Sequence, residues 1–246
     1  MSGFTLVLYR IYQFCIMMPL MLVLTALTAV TVAIGSICGG GRFWAYWPSV
    51  IWSRLMMWLT LCTVTVRGRE NVSKGVSYVF VANHQGAYDI FAIYGWLGHN
   101  FKWMMKKSLE NIPLVGWACK RGGQIFVDKS SPSAIQHTMQ KAEKILAGGM
   151  SVVVFPEGSR TKTGRLGTFK RGAYMLATEF GLPVVPITID GAYGIMPVTA
   201  KLPLPGRITL TIHPAIAPGA DSQHNQATLI SQSREAIASA LPPSQR

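Results

Sequence analysis

The sequence predicts an α/β fold, a mixed and largely parallel sheet flanked by helices, preceded by an N-terminal membrane-anchoring helical segment. Three features lead to it: an uncharged apolar leader, short β-rich runs that alternate with helical stretches after residue 76, and turn residues that bound each run. A length of 246 residues suits one or two domains and can bury a substantial core. Half the residues are hydrophobic and only 13% are charged, about half the charged fraction usual in a soluble globular domain. These values exclude a mainly disordered chain and imply a solvent other than water for part of it.

Charge divides the chain in two. Residues 1–66 carry Arg10, Arg42 and Arg54 and no acid, whereas residues 67–246 carry the other 20 basic residues and all 10 acidic ones, a net of +10. We expect residues 1–66 to form hydrophobic membrane-anchoring helices. Residues 67–246 should form the α/β domain, on the cytoplasmic side of the inner membrane by the positive-inside tendency. Phe14 to Ile34 is a stretch of 21 residues, apolar apart from three threonines, which meets the roughly 20-residue requirement of a membrane helix. A cleaved signal peptide has a shorter apolar region, about 7–15 residues, after a more basic start. Pro19 is compatible with a membrane helix. A second apolar region, Phe43 to Val66, clusters Trp44, Tyr46, Trp47, Trp52 and Trp58, rings that favour the headgroup level. Arg54 interrupts it and leaves an interfacial helix and a full span both open. Cys15, Cys38, Cys62 and Cys119 form no close pair, so they indicate neither a zinc site nor a disulfide framework and read as small buried hydrophobes.

The strands expected in the body are Val76–Ala82, Gln124–Val127, Val152–Phe155, Val184–Ile189 and Ile208–Ile212, all rich in Val, Ile, Phe and Thr. A helix should follow Ser131-Pro132, an N-cap and a first-turn proline, and end at Gly148-Gly149. Others should cover Lys170–Phe180, closed by Gly181 and Pro183, and Gln226–Leu241, closed by Pro242-Pro243.

In an open α/β sheet the crevice lies where strands end and helices begin. The first expected strand runs into Asn83-His84-Gln85-Gly86-Ala87-Tyr88-Asp89, with a helix following through Trp96. On a continuous helix, positions five apart are about 140° out of phase, so His84 and Asp89 meet only if His84 lies in a turn and Asp89 in the first helical turn. Asp89 then fixes one imidazole nitrogen and leaves the other as a base near neutral pH. Alone, that spacing is more often a helix-capping aspartate beside a structural histidine. The third expected strand ends in Phe155-Pro156-Glu157-Gly158-Ser159-Arg160. Arg160 offers the planar fork that suits a phosphate, and Gly158 permits close backbone approach. A local Glu157–Arg160 ion pair is the alternative. Lys106, Lys107 and the Gly123–Lys129 segment add cations that are either solvated charges or collectors of an anionic substrate.

Together, Asn83-His84 through Asp89, Gly123–Lys129, Phe155 through Arg160, and Val185-Pro186-Ile187 resemble, in order and spacing, the four motifs of the glycerolipid acyltransferases, most nearly those that act on lysophosphatidate. The resemblance covers roughly residues 70–215. It implies transfer of a fatty acyl group from acyl-CoA or acyl carrier protein to the sn-2 hydroxyl of 1-acyl-sn-glycerol-3-phosphate, giving phosphatidate. It further implies that His84 is the general base, Asp89 its orienting partner, and that Glu157, Gly158, Ser159 and Arg160 belong to the glycerol phosphate site. Lys129 stands where the family's second motif ends in arginine, which keeps the charge but not the fork, and Lys106 is a further phosphate-binding candidate. Gly86 and Ser159 replace residues that are often serine and threonine in the family. The resemblance implies no cofactor beyond the acyl-donor substrate and no metal, and its partners are the bilayer, lysophosphatidate and the acyl donor. The oxyanion formed on the way needs preorganised donors, expected among backbone N–H groups near Gly158 or at the start of the helix after His84.

Other readings lead elsewhere. Another lysolipid, such as a lyso-ornithine lipid, changes the acceptor and keeps the reaction. A metal-dependent phosphoesterase would need ligands beyond His84 and Asp89, and His99, His137, His213 and His224 form no ligand cluster near either motif in the sequence. A non-catalytic lipid-binding protein would leave the motif residues without use. Nucleic acid is not an expected partner, because no basic helix interleaves with reading residues and the apolar leader would go unexplained.

Overall fold

The computed structural model describes residues 3–219 and 222–246, with side chains for 3–219 and 225–246. The apolar leader begins as one long helix, Gly3–Ile37, made of α1 (Gly3–Tyr12), a π turn (Gln13–Met17) and α2 (Met18–Ile37). Pro19 explains the wide turn: its ring would collide with the carbonyl of Cys15, and the π turn spanning that residue relieves the clash. One side of this helix lies along the rest of the protein. Tyr12 Oη donates to the Leu59 carbonyl at 2.8 Å, Gln13 Nε2 to the Pro203 carbonyl at 2.8 Å, and Trp52 Nε1 to Thr25 Oγ1 at 3.0 Å. Farther along, Ala29 and Val32 pack on Ala118. The opposite side exposes Phe4, Ile11, Leu22, Val23, Leu27 and Ile34.

After the Gly39-Gly40 turn come α3 (Gly41–Trp44) and α4 (Trp47–Leu59). At 13 residues α4 is too short to span a bilayer. Its charge is accommodated by protein: Arg54 Nε donates to the Gly95 carbonyl at 2.9 Å, near the end of helix α5 (Tyr88–Trp96), and the guanidinium lies over the Trp96 ring. Cys62 is buried and Cys119 half-buried, but Cys15 and Cys38 are exposed on the apolar helix, not buried as expected.

The sheet has seven strands: β1 (Thr63–Arg67), β2 (Val79–Ala82), β3 (Phe101–Lys106), β4 (Ile125–Val127), β5 (Ser151–Val154), β6 (Val184–Asp190) and β7 (Arg207–Ile212). Their order is β1-β7-β6-β2-β5-β3-β4, and every neighbouring pair is parallel except β6–β7. The sheet is thus mixed and largely parallel, as the sequence predicts. β1 and β3 were not among the expected strands. β1 is a half-exposed edge strand whose residues 63–66 fall within the apolar leader by composition. β3, Phe-Lys-Trp-Met-Met-Lys, lacks the β-branched residues that mark a strand.

Helices cover both faces. α4 and α5 pack on one, joined by short α9 (Ala192–Ile195). α7 (Pro132–Ala147), α8 (Gly172–Glu179) and α10 (Ser222–Ser239) pack on the other. α6 (Val115–Arg121) joins β3 to β4 and lies against α2. As expected, Ser131 caps α7, its Oγ accepting the Ala134 N–H at 3.1 Å. Central β2 is buried at all four positions, the pattern of a parallel strand covered on both sides.

Candidate active site

Four neighbouring parallel strands, β2, β5, β3 and β4, end at the same edge of the sheet. His84 follows β2, Gly158–Arg160 follow β5, Lys106 ends β3 and Lys129 follows β4. At a spacing of about 4.8 Å between strands, topology alone brings residues scattered over 77 positions into a row of about 14 Å.

Asn83 fixes the start of the first loop, its amide exchanging two hydrogen bonds with the backbone of Ile189 on β6, at 2.8 and 2.9 Å. His84 lies in the turn and Asp89 in the first turn of α5. His84 Nδ1 is 2.7 Å from Asp89 Oδ2, which also accepts the N–H groups of Gln85 (2.7 Å) and Gly86 (2.9 Å). Asp89 is completely buried, whereas the His84 side chain is 14% exposed. With Nδ1–H donated to the carboxylate, the imidazole presents Nε2 as its basic nitrogen. The ring stacks on Phe155 (3.9 Å between centroids, 6° between planes), which stacks on Trp103, so His84 is held from two directions. Gly86 serves the loop by close approach: a Cβ there would lie 2.7 Å from the Met196 carbonyl and 2.8 Å from that of Ala192.

Glu157 Oε1 accepts the His84 N–H at 2.8 Å and Oε2 accepts the Gly167 N–H at 2.9 Å. Burial raises the Glu157 carboxyl above its ordinary range, opposed by these two hydrogen bonds and the nearby histidine. The Thr161 N–H donates back to the His84 carbonyl at 2.9 Å, tying the two loops together. Gly158 has φ 77°, and a Cβ there would lie 2.7 Å from Lys170 Nζ. The turn uses the Gly158 N–H on the Phe155 carbonyl, and the N–H groups of Gln85, Gly86 and Ala87 are likewise engaged. These four backbone donors are therefore occupied, because they shape the loops.

His84, Gly158, Ser159, Arg160, Lys106 and Lys129 all line one cavity of about 1210 Å³. Lys107, Lys162 and Lys170 line it too, so its walls near His84 are strongly cationic. Lys107 forms an ion pair with Asp128 at 2.8 Å, which holds the carboxyl below the ordinary carboxylate range. Away from the cations the wall is apolar and runs between α2, α4 and α6, with Ala29, Val32, Trp52, Val115 and Ala118 on it. Such a cavity takes a molecule with an anionic head and a long apolar tail.

Asp89 and Glu157 are not on the cavity wall. Asp89 stands behind His84, and Glu157 holds backbone. No Glu157–Arg160 ion pair forms. Pro186, on β6, is buried under the site. Sequence reading missed Lys170, which it assigned only to a helix start, and the Phe155–Trp103 stack, whose members look like ordinary strand residues. The other histidines have separate settings: His99 Nε2 bonds Ser151 at 2.9 Å and His213 Nε2 bonds Thr188 at 2.8 Å. The His224 side chain lies outside the described residues.

Known proteins resemble this chain in sequence and in fold. The chain is 35% identical over 182 residues to a 1-acyl-sn-glycerol-3-phosphate acyltransferase of Chlamydomonas reinhardtii, an alignment covering 73% of this chain and 53% of that protein. It is 33% identical over 171 residues to a protein of the same name from Pseudomonas aeruginosa, covering 67% of this chain and 65% of the relative. The match thus spans about half to two thirds of these relatives' lengths. The crystal structure of the 1-acyl-sn-glycerophosphate acyltransferase PlsC from Thermotoga maritima superposes with a TM-score of 0.76 at 25% identity, over 97% of this chain and 98% of that one. The family model described as Acyltransferase matches residues 63–190, from β1 through β6 and so through every motif above; the chain belongs to the acyltransferase family.

Proposed function

We propose that the protein is a membrane-associated O-acyltransferase that moves a fatty acyl group from acyl-CoA or acyl carrier protein to the sn-2 hydroxyl of 1-acyl-sn-glycerol-3-phosphate, giving phosphatidate for phospholipid synthesis. The observation that carries this reading is His84, oriented by the buried Asp89 behind it, on the wall of a cavity that is cationic beside the imidazole and apolar beyond it.

In the reaction, His84 Nε2 removes the proton of the sn-2 hydroxyl as its oxygen attacks the thioester carbonyl. A base so placed contributes typically about 10²–10⁴-fold. Asp89 holds the ring and stabilises the imidazolium. The tetrahedral oxyanion faces the cations of the Gly158–Lys170 loop. Its collapse breaks the C–S bond, and the imidazolium returns the proton to the departing thiolate, so His84 ends neutral and the products are ester and thiol. Arg160, with Lys129, Lys106 and Lys170, holds the phosphate. Gly158 and Ser159 complete the turn beside it, and Glu157 acts as a positioning residue. No cofactor or metal takes part in these steps.

The long helix supports membrane association, with one side on the protein and large apolar side chains exposed on the other. Since its packed contacts run from Tyr12 to Val32, a helix lying along the bilayer surface fits better than one crossing it away from the domain. The basic body belongs on the cytoplasmic side, where its net +10 favours encounter with an acidic carrier protein.

The test offers purified protein labelled acyl-CoA or acyl carrier protein, with lysophosphatidate and a lyso-ornithine lipid side by side. Labelled phosphatidate is the expected product. Acylation of the lyso-ornithine lipid alone would move the acceptor, and no transfer to either would overturn the reading.

A further inference from the structure

We infer that Gln245 is a positioning residue for acyl transfer: from the 3-10 turn Pro243–Gln245 it braces both loops that build the site. The inference rests on the reading given under Proposed function. Gln85, directly after the base, is buried, and its Nε2 donates to Gln245 Oε1 and, at 3.5 Å, to the Gly164 carbonyl. The Gln245 carbonyl in turn accepts the Leu166 N–H at 2.8 Å. One residue remote in sequence therefore holds the His84 loop through its side chain and the Gly158–Lys170 loop through its backbone. The turn is itself anchored, by the Gln245 N–H on the Pro242 carbonyl at 2.9 Å, Arg246 Nε on the Leu241 carbonyl at 2.9 Å, and the buried Leu241 side chain.

Without the Gln245 oxygen, a buried amide beside the base loses its main acceptor. Gln85 Oε1 already has no partner among the described residues, so the amide is free to rotate in search of one. The Gln85 N–H is also one of the donors that fix Asp89 Oδ2. A shift there moves the acceptor of His84 Nδ1 and with it the aim of Nε2. A misplacement of about 1 Å at a reacting group is worth up to roughly 10²-fold in rate.

The test compares Gln245→Ala with Gln245→Glu, which keeps an acceptor oxygen, in the full chain. We expect Gln245→Ala to lower kcat by roughly 10- to 10²-fold in the folded protein, with KM for lysophosphatidate unchanged. Gln245→Glu should restore kcat, and Gln85→Ala/Gln245→Ala should be no worse than Gln85→Ala. Amide exchange in the peptide covering 84–88 should quicken in Gln245→Ala only, while 158–167, held by the backbone carbonyl of residue 245 in every variant, keeps its protection. Wild-type kcat and exchange in Gln245→Ala, equal losses in both variants, or a loss that follows unfolding temperature would each overturn the inference. Were the wild type to acylate no lysolipid, the acyltransferase reading would fail by itself. Amide exchange would then decide the brace: quickened in 84–88 it stands, unchanged it falls.

Discussion

The carboxylate of Glu157 grips the backbone of the base: its Oε1 accepts the N–H of His84 at 2.8 Å while Oε2 accepts the N–H of Gly167. A residue that motif reading assigns to the substrate thus ties the two loops of the site together. Glu157→Ala leaves the half-buried N–H groups of His84 and Gly167 unpaired, at a cost of up to about 1–3 kcal/mol each. We predict a loss of stability of that order in denaturant melts, accompanied by a lower kcat. Glu157→Gln keeps one acceptor and should fall between. If Glu157→Ala instead changed KM for lysophosphatidate alone, at full stability, Glu157 would be a substrate ligand.

Arg160 lines the cavity and has the only fork-shaped cation among the described residues of its wall. Arg160→Ala should raise KM for lysophosphatidate by roughly 10- to 10²-fold, the equivalent of the about 1.5–3 kcal/mol carried by a hydrogen bond to a charged group. Arg160→Lys should recover only part of it. Steady-state kinetics with the acceptor varied at fixed donor checks this, and an unchanged KM would remove Arg160 from the phosphate site.

Lys102 supplies a pH dependence. Its Nζ donates to the Gly122 carbonyl at 2.7 Å and to that of Gly41 at 3.4 Å, joining β3 to the ends of α6 and of the helical leader. Burial, with Arg42 nearby, pushes the ammonium down to about 8 from an ordinary 10.5. Between those values the unfolded chain binds the extra proton, so stability contributed by this group rises as pH increases through about 8 and levels off near 10.5. The full change is at most roughly 3 kcal/mol. Lys102→Met should lack this rise, measured as unfolding free energy of both proteins from pH 7 to 10.5. Parallel curves would show that Lys102 is charged throughout.

Leu22 and Leu27 are 71% and 60% exposed on the outer side of the long helix. Each leucine buried in lipid contributes about 1.5–3 kcal/mol. Replacing both with glutamate should therefore weaken co-sedimentation with vesicles by roughly 10²-fold or more while leaving the fold intact, since neither packs on the domain. Undiminished sedimentation would detach this face from the membrane.

Much of this was legible beforehand, for identifiable reasons. His84 and Asp89 could meet only across a strand–turn–helix junction, and turn and helix residues in the right places specify that junction. The β-branched runs marked β2 and β4 to β7, because strands of a sheet covered by helices are rich in such residues. Thr63–Arg67 hid behind the tryptophan-rich helix, and Phe101–Lys106 has no β-branched residue, its Met and Lys diluting the strand signal of Phe101 and Trp103. The roles of Glu157 and Lys170 could not be read at all. Glu157 is defined by backbone amides, which leave no trace in residue type, and Lys170 reaches Gly158 through a loop that only tertiary structure closes.

The central claim is that His84 is the base of an acyl transfer. The most direct measurement follows label from acyl-CoA or acyl carrier protein into phosphatidate, for wild type and His84→Ala purified side by side and matched in unfolding temperature. Product is expected from the wild type, with a rate lower by at least about 10²-fold in the variant. Equal rates from the two folded proteins would contradict it.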